Sequence, residues 1–411
     1  DILEPYEPIS DTVNILGDEV LAPMKDDTAC GIGLLTDRHE YVDFCKGELT
    51  VKGVRLVTEF QHKCINGTLD IDDIVAKETI KDETRSLKKK QFPRTFRIVP
   101  LHINFLLKKY LGNLFKQLIR EKWYNGLMLQ INPYTEFSKI HNQLAGRNLL
   151  ALDVSFWDKK MVVQVMYCVR NAIVGKFRGT ADDTLILSTL LTNIIQGYVA
   201  ANDDTFWLTH SMASGTWITN MFNSLVQLTY VRMWYHHHYA DHTTQDFYTN
   251  LRLFILGDDI LCGVKPSCTL LDAYSMEEYY TALGLKVTSS TKGAIMHNYE
   301  SWEDVTFLKR RFYYHPELNT IVGVLSEETL LSSISWVDST KDIKTVVDDK
   351  IRAFQFEAYL NPYGSKYVNH LKQECEKRKI EFVEWPRSTI YKLFKRGEVK
   401  YVSFDGTTLM I

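Results

Sequence analysis

Asp258 and Asp259 stand side by side behind Gly257, at the end of an apolar run. Adjacent carboxylates at a hairpin tip repel each other, and a divalent cation removes that repulsion. Gly257 supplies the permissive backbone such a tip needs. A Gly-Asp-Asp turn alone is a common surface feature, so a second source of carboxylate matters. Asp153 follows the run Leu149-Leu150-Ala151-Leu152, and Asp158 comes five residues later. Two neighbouring strands ending in Asp153 and Asp258 could hold two Mg²⁺ ions about 3.5–4 Å apart, as in-line phosphoryl transfer requires.

Between these pairs lies Ser214-Gly215-Thr216-Trp217-Ile218-Thr219-Asn220-Met221-Phe222-Asn223-Ser224. Thr219 and Asn223 are four apart and share a helix face. An ordinary helix start capped by Ser214 would explain this segment on its own. The full order is more specific: Asp-x4-Asp, then Ser-Gly-x3-Thr-x3-Asn, then Gly-Asp-Asp. It resembles the palm motifs of viral RNA-dependent RNA polymerases of the picornavirus-like group.

The resemblance continues outward over about residues 25–340, in the family's order. Lys81-Asp82-Glu83-x-Arg85, the run Lys88-Lys89-Lys90 and Arg97 look like the basic motif over the entering triphosphate. Leu283 to Thr288 followed by Lys292 resembles the segment with the mobile lysine. Phe307-Leu308-Lys309-Arg310 resembles the primer-grip turn, and Ser333-Ile334-Ser335-Trp336 the start of the thumb. Thr28-Ala29-Cys30-Gly31 loosely matches the loop where template enters. Leu256 departs from the group's usual Tyr, at a position that packs rather than ligates. Relatives carry further fingertip residues ahead of the template loop.

The resemblance implies roles. Asp153, Asp258 and Asp259 are the expected metal ligands, Asp259 the most peripheral, for Mg²⁺ with Mn²⁺ as a substitute. Lys292 is the expected general acid for departing pyrophosphate. Lys81, Arg85, Arg97 and one lysine of 88–90, with Lys89 as the choice, would grip triphosphate oxygens. Asp158, Thr219 and Asn223, with Ser214, would read the ribose 2′-hydroxyl. Gly215, Lys309 and Arg310 would contact RNA, the last two at the primer backbone. Expected partners are template and primer RNA, ribonucleoside triphosphates, a peptide primer and other viral replication proteins, in a replication complex in host cytoplasm.

Elements must place these groups. Leu149 to Leu152 reads as a buried strand, and Arg252 to Val264 as strand–turn–strand. Alternation puts Thr95, Arg97 and Val99 on one strand face. Helical spacing covers Phe105 to Trp123 and Lys159 to Val174. Thr184 to Asn202 carries no charge, but its Ser, Thr, Asn, Gln and Gly residues favour a buried soluble helix over a membrane span. Val305 to Leu308 begins a strand, and the last hundred or so residues look largely helical.

The 411 residues are 45% apolar and 24% charged, with 12% aromatics, which excludes disordered and collagenous chains. A formal charge of −3 excludes binding of nucleic acid through bulk positive charge, so basic groups must be concentrated locally. Seven scattered cysteines without a Cys-x-x-Cys pair read as reduced thiols in a cytosolic protein. His236-His237-His238 with Asp241 and His242 could suggest zinc, but consecutive histidines on a helix point in different directions. The first residue, Asp1 rather than Met, suggests a piece processed from something larger.

By composition and pattern the chain is mixed α/β (α+β). By resemblance it is a right-hand polymerase: fingers 1–111 and 196–211, palm 112–195 and 212–315 with an antiparallel sheet packed on helices, and helical thumb 316–411. The expected function is template-directed RNA synthesis in viral genome replication. A reverse transcriptase is the enzymatic rival; it usually has an aromatic at the position of Asp158 and lacks the Ser-Gly-x3-Thr-x3-Asn pattern. A silent RNA-binding scaffold is the other rival, though it would have no need of clustered carboxylates.

Overall fold

The computed structural model describes residues 2–81, 93–335 and 342–395. Among them the strands, in chain order, are β1 (Val42–Asp43), β2 (Glu48–Leu49), β3 (Ala76–Ile80), β4 (Thr95–Ile98) and β5 (Asn148–Ser155). There follow β6 (Gly197–Ala201), β7 (Asp204–Leu208), β8 (Leu251–Leu256), β9 (Asp259–Val264) and β10 (Lys286–Ser289). The last are β11 (Thr306–Phe307), β12 (Arg310–His315) and β13 (Thr320–Leu325).

The site sheet is antiparallel, in the order β10-β5-β9-β8. Its period of two sorts the side chains between two cores. Leu150, Leu152 and Val154 of β5 join the largest apolar cluster with Ile260, Cys262 and Val264 of β9. Leu149, Ala151 and Leu261 point the other way, onto Phe137, Ile140, Leu144 and Phe254. Asp153 and Asp259 belong to this second register and face each other across the ladder. Burial on both faces is why β5 reads as a continuous apolar run, and Asp153 sits where that run stops.

Helix Thr219–His238 lies against β8 and is buried nearly all round, from Met221 to Tyr235. A second sheet runs β4-β3-β6-β7, with β3 parallel to β6. The third, β11-β12-β13, packs on the C-terminal helices Ile343–Leu360, Gly364–Lys377 and Arg387–Lys395 around Val322, Phe354, Phe356, Ile390 and Phe394.

Several expected elements differ. The helix expected over Thr184 to Asn202 is Ala181–Ile195, opened by a Thr180/Asp183 capping box. Gly197 to Ala201 instead form β6, because Tyr198 and Val199 find partners in β7 and β3. Helix 159–174 is two helices, Trp157–Lys160 and Val163–Lys176. Strand β4 ends at Ile98, so Val99 lies beyond it, ahead of Pro100. The C-terminal hundred residues begin with a hairpin, β12–β13, which the 315/316 boundary would split. All seven cysteines are free thiols, five buried and two exposed. Among the described residues no helix is long and apolar enough to cross a membrane.

Candidate active site

The hairpin β8–β9 has a two-residue loop, Gly257–Asp258, with Leu256 paired to Asp259. Gly257 takes φ +64 while Asp258 stays negative, the sign pattern of a II′ turn. Two bonds hold this tip to its surroundings. The Val154 N–H donates to the Asp258 carbonyl at 3.4 Å, and the Gly257 N–H donates to Ser224 Oγ at 2.9 Å.

Burial and mutual repulsion shape the electrostatics. Asp258 is raised above the ordinary carboxylate range by burial, then by the Asp153 charge, with Asp158 adding to it. Asp259 is pushed up to about 7 by burial and by the Asp258 and Asp153 charges. Lys292 and Lys309 pull Asp259 back down, so both cations face the acids. Lys292 Nζ stands 3.5 Å from Asp153 Oδ1, with its backbone in the left-handed region in a turn closed by Ser289.

This donor set suits a hard divalent cation: oxygen ligands, excess negative charge, and carboxylates that resist ionising without a counterion. Among the described residues no three such side chains converge tightly enough to cage an ion alone. Mg²⁺ is usually held by one or two carboxylates together with substrate phosphates and water, so an open acidic ledge fits it.

The profile of the family described as viral RNA-dependent RNA polymerase matches residues 10–386. This chain belongs to that family. Curated relatives are polyproteins. The RNA1 polyprotein of Broad bean wilt virus 2 is 24% identical over 66% of this chain and 15% of its own length. The replicase polyprotein of Cricket paralysis virus is 23% identical over 70% and 17%. This chain therefore spans about a sixth of the length of these relatives. Among solved structures, the Sicinivirus 3Dpol RNA-dependent RNA polymerase superposes with a TM-score of 0.81 at 19% identity, covering 95% of this chain and 81% of that one. The fold is thus the right-hand polymerase fold.

The other expected site residues fall into three groups. Asp158 opens the short helix Trp157–Lys160; its backbone carbonyl accepts from Met212 N and Ser211 Oγ, tying it to the strand-to-helix loop. Asn223 is buried, and its Oδ1 has no hydrogen-bond partner among the described residues. Such an atom is costly unless a ligand or water meets it. Lys81 is exposed at the end of β3. Lys309 forms a hairpin tip with Leu308, both at positive φ.

A second group is engaged elsewhere. Thr219 Oγ1 lies within 2.9 Å of Ala213 O, Thr216 O and Thr216 Oγ1, so its proton serves its own loop. Ser214 is exposed and does not cap helix Thr219–His238, whose N-cap is Ile218. A Cβ at Gly215 would fall 1.7 Å from the Arg97 carbonyl, so close packing on β4 by itself requires this glycine. Arg97 gives Nε to Glu78 at 3.0 Å, while its Nη nitrogens bond nothing among the described residues.

The expectation that Arg310 grips the primer is overturned. It begins β12 pointing inward, 3% exposed, with both Nη nitrogens on Glu357 and Nη1 also on Gly323 O. Tyr134 donates to the same carboxylate at 2.5 Å. The two-residue tip explains this: Leu308 and Lys309 occupy the turn, so Arg310 is already in the ladder, opposite Phe307. Arg85 and Lys89, with Lys88, Lys90 and Trp336, lie outside the described residues. His236 to His238 close their helix, and His242 Nδ1 pairs with the Tyr235 hydroxyl.

Sequence reasoning missed Glu78, Glu357, Ser224 and Arg38. Arg38 is buried and donates to the carbonyls of Lys25, Thr28 and Ala29, pinning the loop that carries Cys30 and Gly31. Nothing local marks Glu78, Glu357 or Arg38. Ser224 had one signal, its place directly after Asn223.

Proposed function

We propose that the chain copies an RNA template into RNA from ribonucleoside triphosphates, with Mg²⁺, or Mn²⁺ in its place, held by Asp153 and Asp258 and flanked by Asp259. The observation that carries this reading is the pairing of Asp153 with Asp259 on one face of the antiparallel ladder, Asp258 next to them at the tip, with Lys292 and Lys309 as the facing cations. A bound divalent cation would neutralise the carboxylates and favour ionisation of a primer 3′-hydroxyl.

The chain's own residues supply the rest. Lys292, with Nζ 3.5 Å from Asp153 Oδ1, serves as the general acid for a leaving pyrophosphate. The Nη nitrogens of Arg97, which bond nothing among the described residues, with Lys81, Arg85 and Lys89, address triphosphate oxygens. The unpartnered Asn223 Oδ1 accepts from a ribose 2′-hydroxyl, with Asp158 beside the same nucleotide; Thr219 and Ser214 shape the loop. Lys309 contacts the primer backbone, and Gly215 lies along the RNA path. Residues 1–111 and 196–211 serve as fingers, 112–195 and 212–315 as palm, and the part beyond as thumb. A peptide primer, other viral replication proteins and a host-cytoplasmic replication complex complete the setting.

The test is incorporation of labelled UTP against dTTP on a primed RNA template, with and without Mg²⁺. Extension by UTP alone, requiring the metal, is expected. Equal use of dTTP would point to a reverse transcriptase, and no extension with either nucleotide to a silent scaffold.

A further inference from the structure

Ser224 is fully buried on helix Thr219–His238, and its hydroxyl joins two elements. It donates to Asn220 O at 2.7 Å and accepts from the Gly257 N–H at 2.9 Å. The polarity is fixed: an amide can only donate, so the hydroxyl proton must go to Asn220. Gly257 is buried, and the first loop residue of a two-residue hairpin has no ladder partner for its N–H. The tip's other backbone anchor, Val154 N to Asp258 O, is long at 3.4 Å. Where Asp258 stands relative to Asp153 therefore depends on Ser224.

We propose that Ser224 is a positioning residue for nucleotidyl transfer, seating the Gly257–Asp258 tip on the helix that carries Asn223. Sugar recognition and carboxylate placement then share one rigid element. This rests on the polymerase reading above for its kinetic arm, while its structural arm stands without it. Misplacing a reacting group by about 1 Å can slow a reaction up to about 10²-fold. Ser224→Ala should therefore lower kcat about ten- to a hundredfold and leave KM for UTP within about twofold.

The experiment pairs single-turnover extension with amide hydrogen exchange resolved at Gly257, both on the whole chain. Ser224→Ala should lose protection at Gly257 while the strands of β8 and β9 keep theirs. Ser224→Cys, of similar size with a weaker sulfur partner, should fall between wild type and Ala in both readouts, and it carries the test if the Ala variant does not fold. Thr229→Ala is the control: its hydroxyl donates only to Leu225 O of the same helix, and its loss should change neither readout. Faster exchange with unchanged kcat would show a packing contact and overturn the proposal. Unchanged Gly257 exchange would show that the tip is held by something else. A wild-type chain that makes no RNA would overturn the polymerase reading and leave the exchange result to judge the contact.

Discussion

Two places in this molecule put charge out of water, and they handle it in opposite ways. At Arg310–Glu357 the guanidinium meets the carboxylate through both Nη nitrogens, Gly323 supplies a further acceptor and Tyr134 a further donor. At the β8–β9 tip, burial and then the Asp153 charge raise Asp258, burial and then the charges of Asp258 and Asp153 raise Asp259, and Lys292 beside Asp153 is 64% exposed on a turn. The first arrangement is electrostatically complete and joins β12 to helix Ile343–Leu360. The second is incomplete without added positive charge. A buried group that is fully satisfied is architecture; one left wanting a partner is a binding site.

The largest expected effect breaks the incomplete side. Asp258→Asn keeps the shape and removes one charge, and RNA synthesis should fall by about 10³-fold or more, at least ~4 kcal/mol of barrier. The same variant, melted without divalent metal, should be no less stable than wild type, because repulsion has been relieved. Primer extension and thermal unfolding check the two halves. A variant that keeps a tenth of its activity would remove Asp258 from the metal site.

The complete side should behave in reverse. Glu357→Ala leaves a buried guanidinium unpaired and should cost about 3–5 kcal/mol, read as a lower urea midpoint. Arg310→Met combined with Glu357→Leu should recover most of that loss, since an apolar replacement of a buried pair is often neutral. If the double variant is as unstable as the single one, the pair supplies more than neutralisation.

His102 offers a case between the two. It is buried, with Nε2 donating to Asp73 O at 2.9 Å and no partner for Nδ1 among the described residues, and burial pushes it down to about 4. Its folded value lies below the ordinary 6.5, so its contribution is complete above pH 6.5 and lost as pH falls toward 4. The loss should approach about 3 kcal/mol near pH 4. Urea midpoints at pH 7 and pH 4.5 test this, and His102→Gln should flatten the difference.

The smallest effect probes the orphaned acceptor. Asn223→Ala should narrow the ratio of kcat/KM for UTP over dUTP by about tenfold, from a hydrogen bond worth ~1–3 kcal/mol. Equal losses with both nucleotides would assign Asn223 to packing.

The chain order of Asp153, Asp158, Thr219, Asn223, Asp258 and Asp259 was enough to reveal the family, and the strand holding Asp153 and the hairpin presenting Asp258 were legible from short apolar runs. Helix Leu101–Arg120 was legible too, from its 3.6-residue spacing. Those signals are local: a strand end or helix face is set by residues within a few positions. The strand at Gly197–Ala201 escaped because its apolar residues suit either state, and pairing with β3 and β7 decided between them.

What sequence by itself determined was the inventory of chemistry: which carboxylates, which lysines, in what order. Tertiary structure decided which of these groups are left unpaired. Arg97 meets Glu78 nineteen residues away, Arg310 meets Glu357 at forty-seven, and Gly257 meets Ser224 at thirty-three. A side chain's type states what it can bond. Its burial, and the partner brought to it across the fold, state what it still needs, because desolvation and Coulomb energy depend on distance in space and not along the chain.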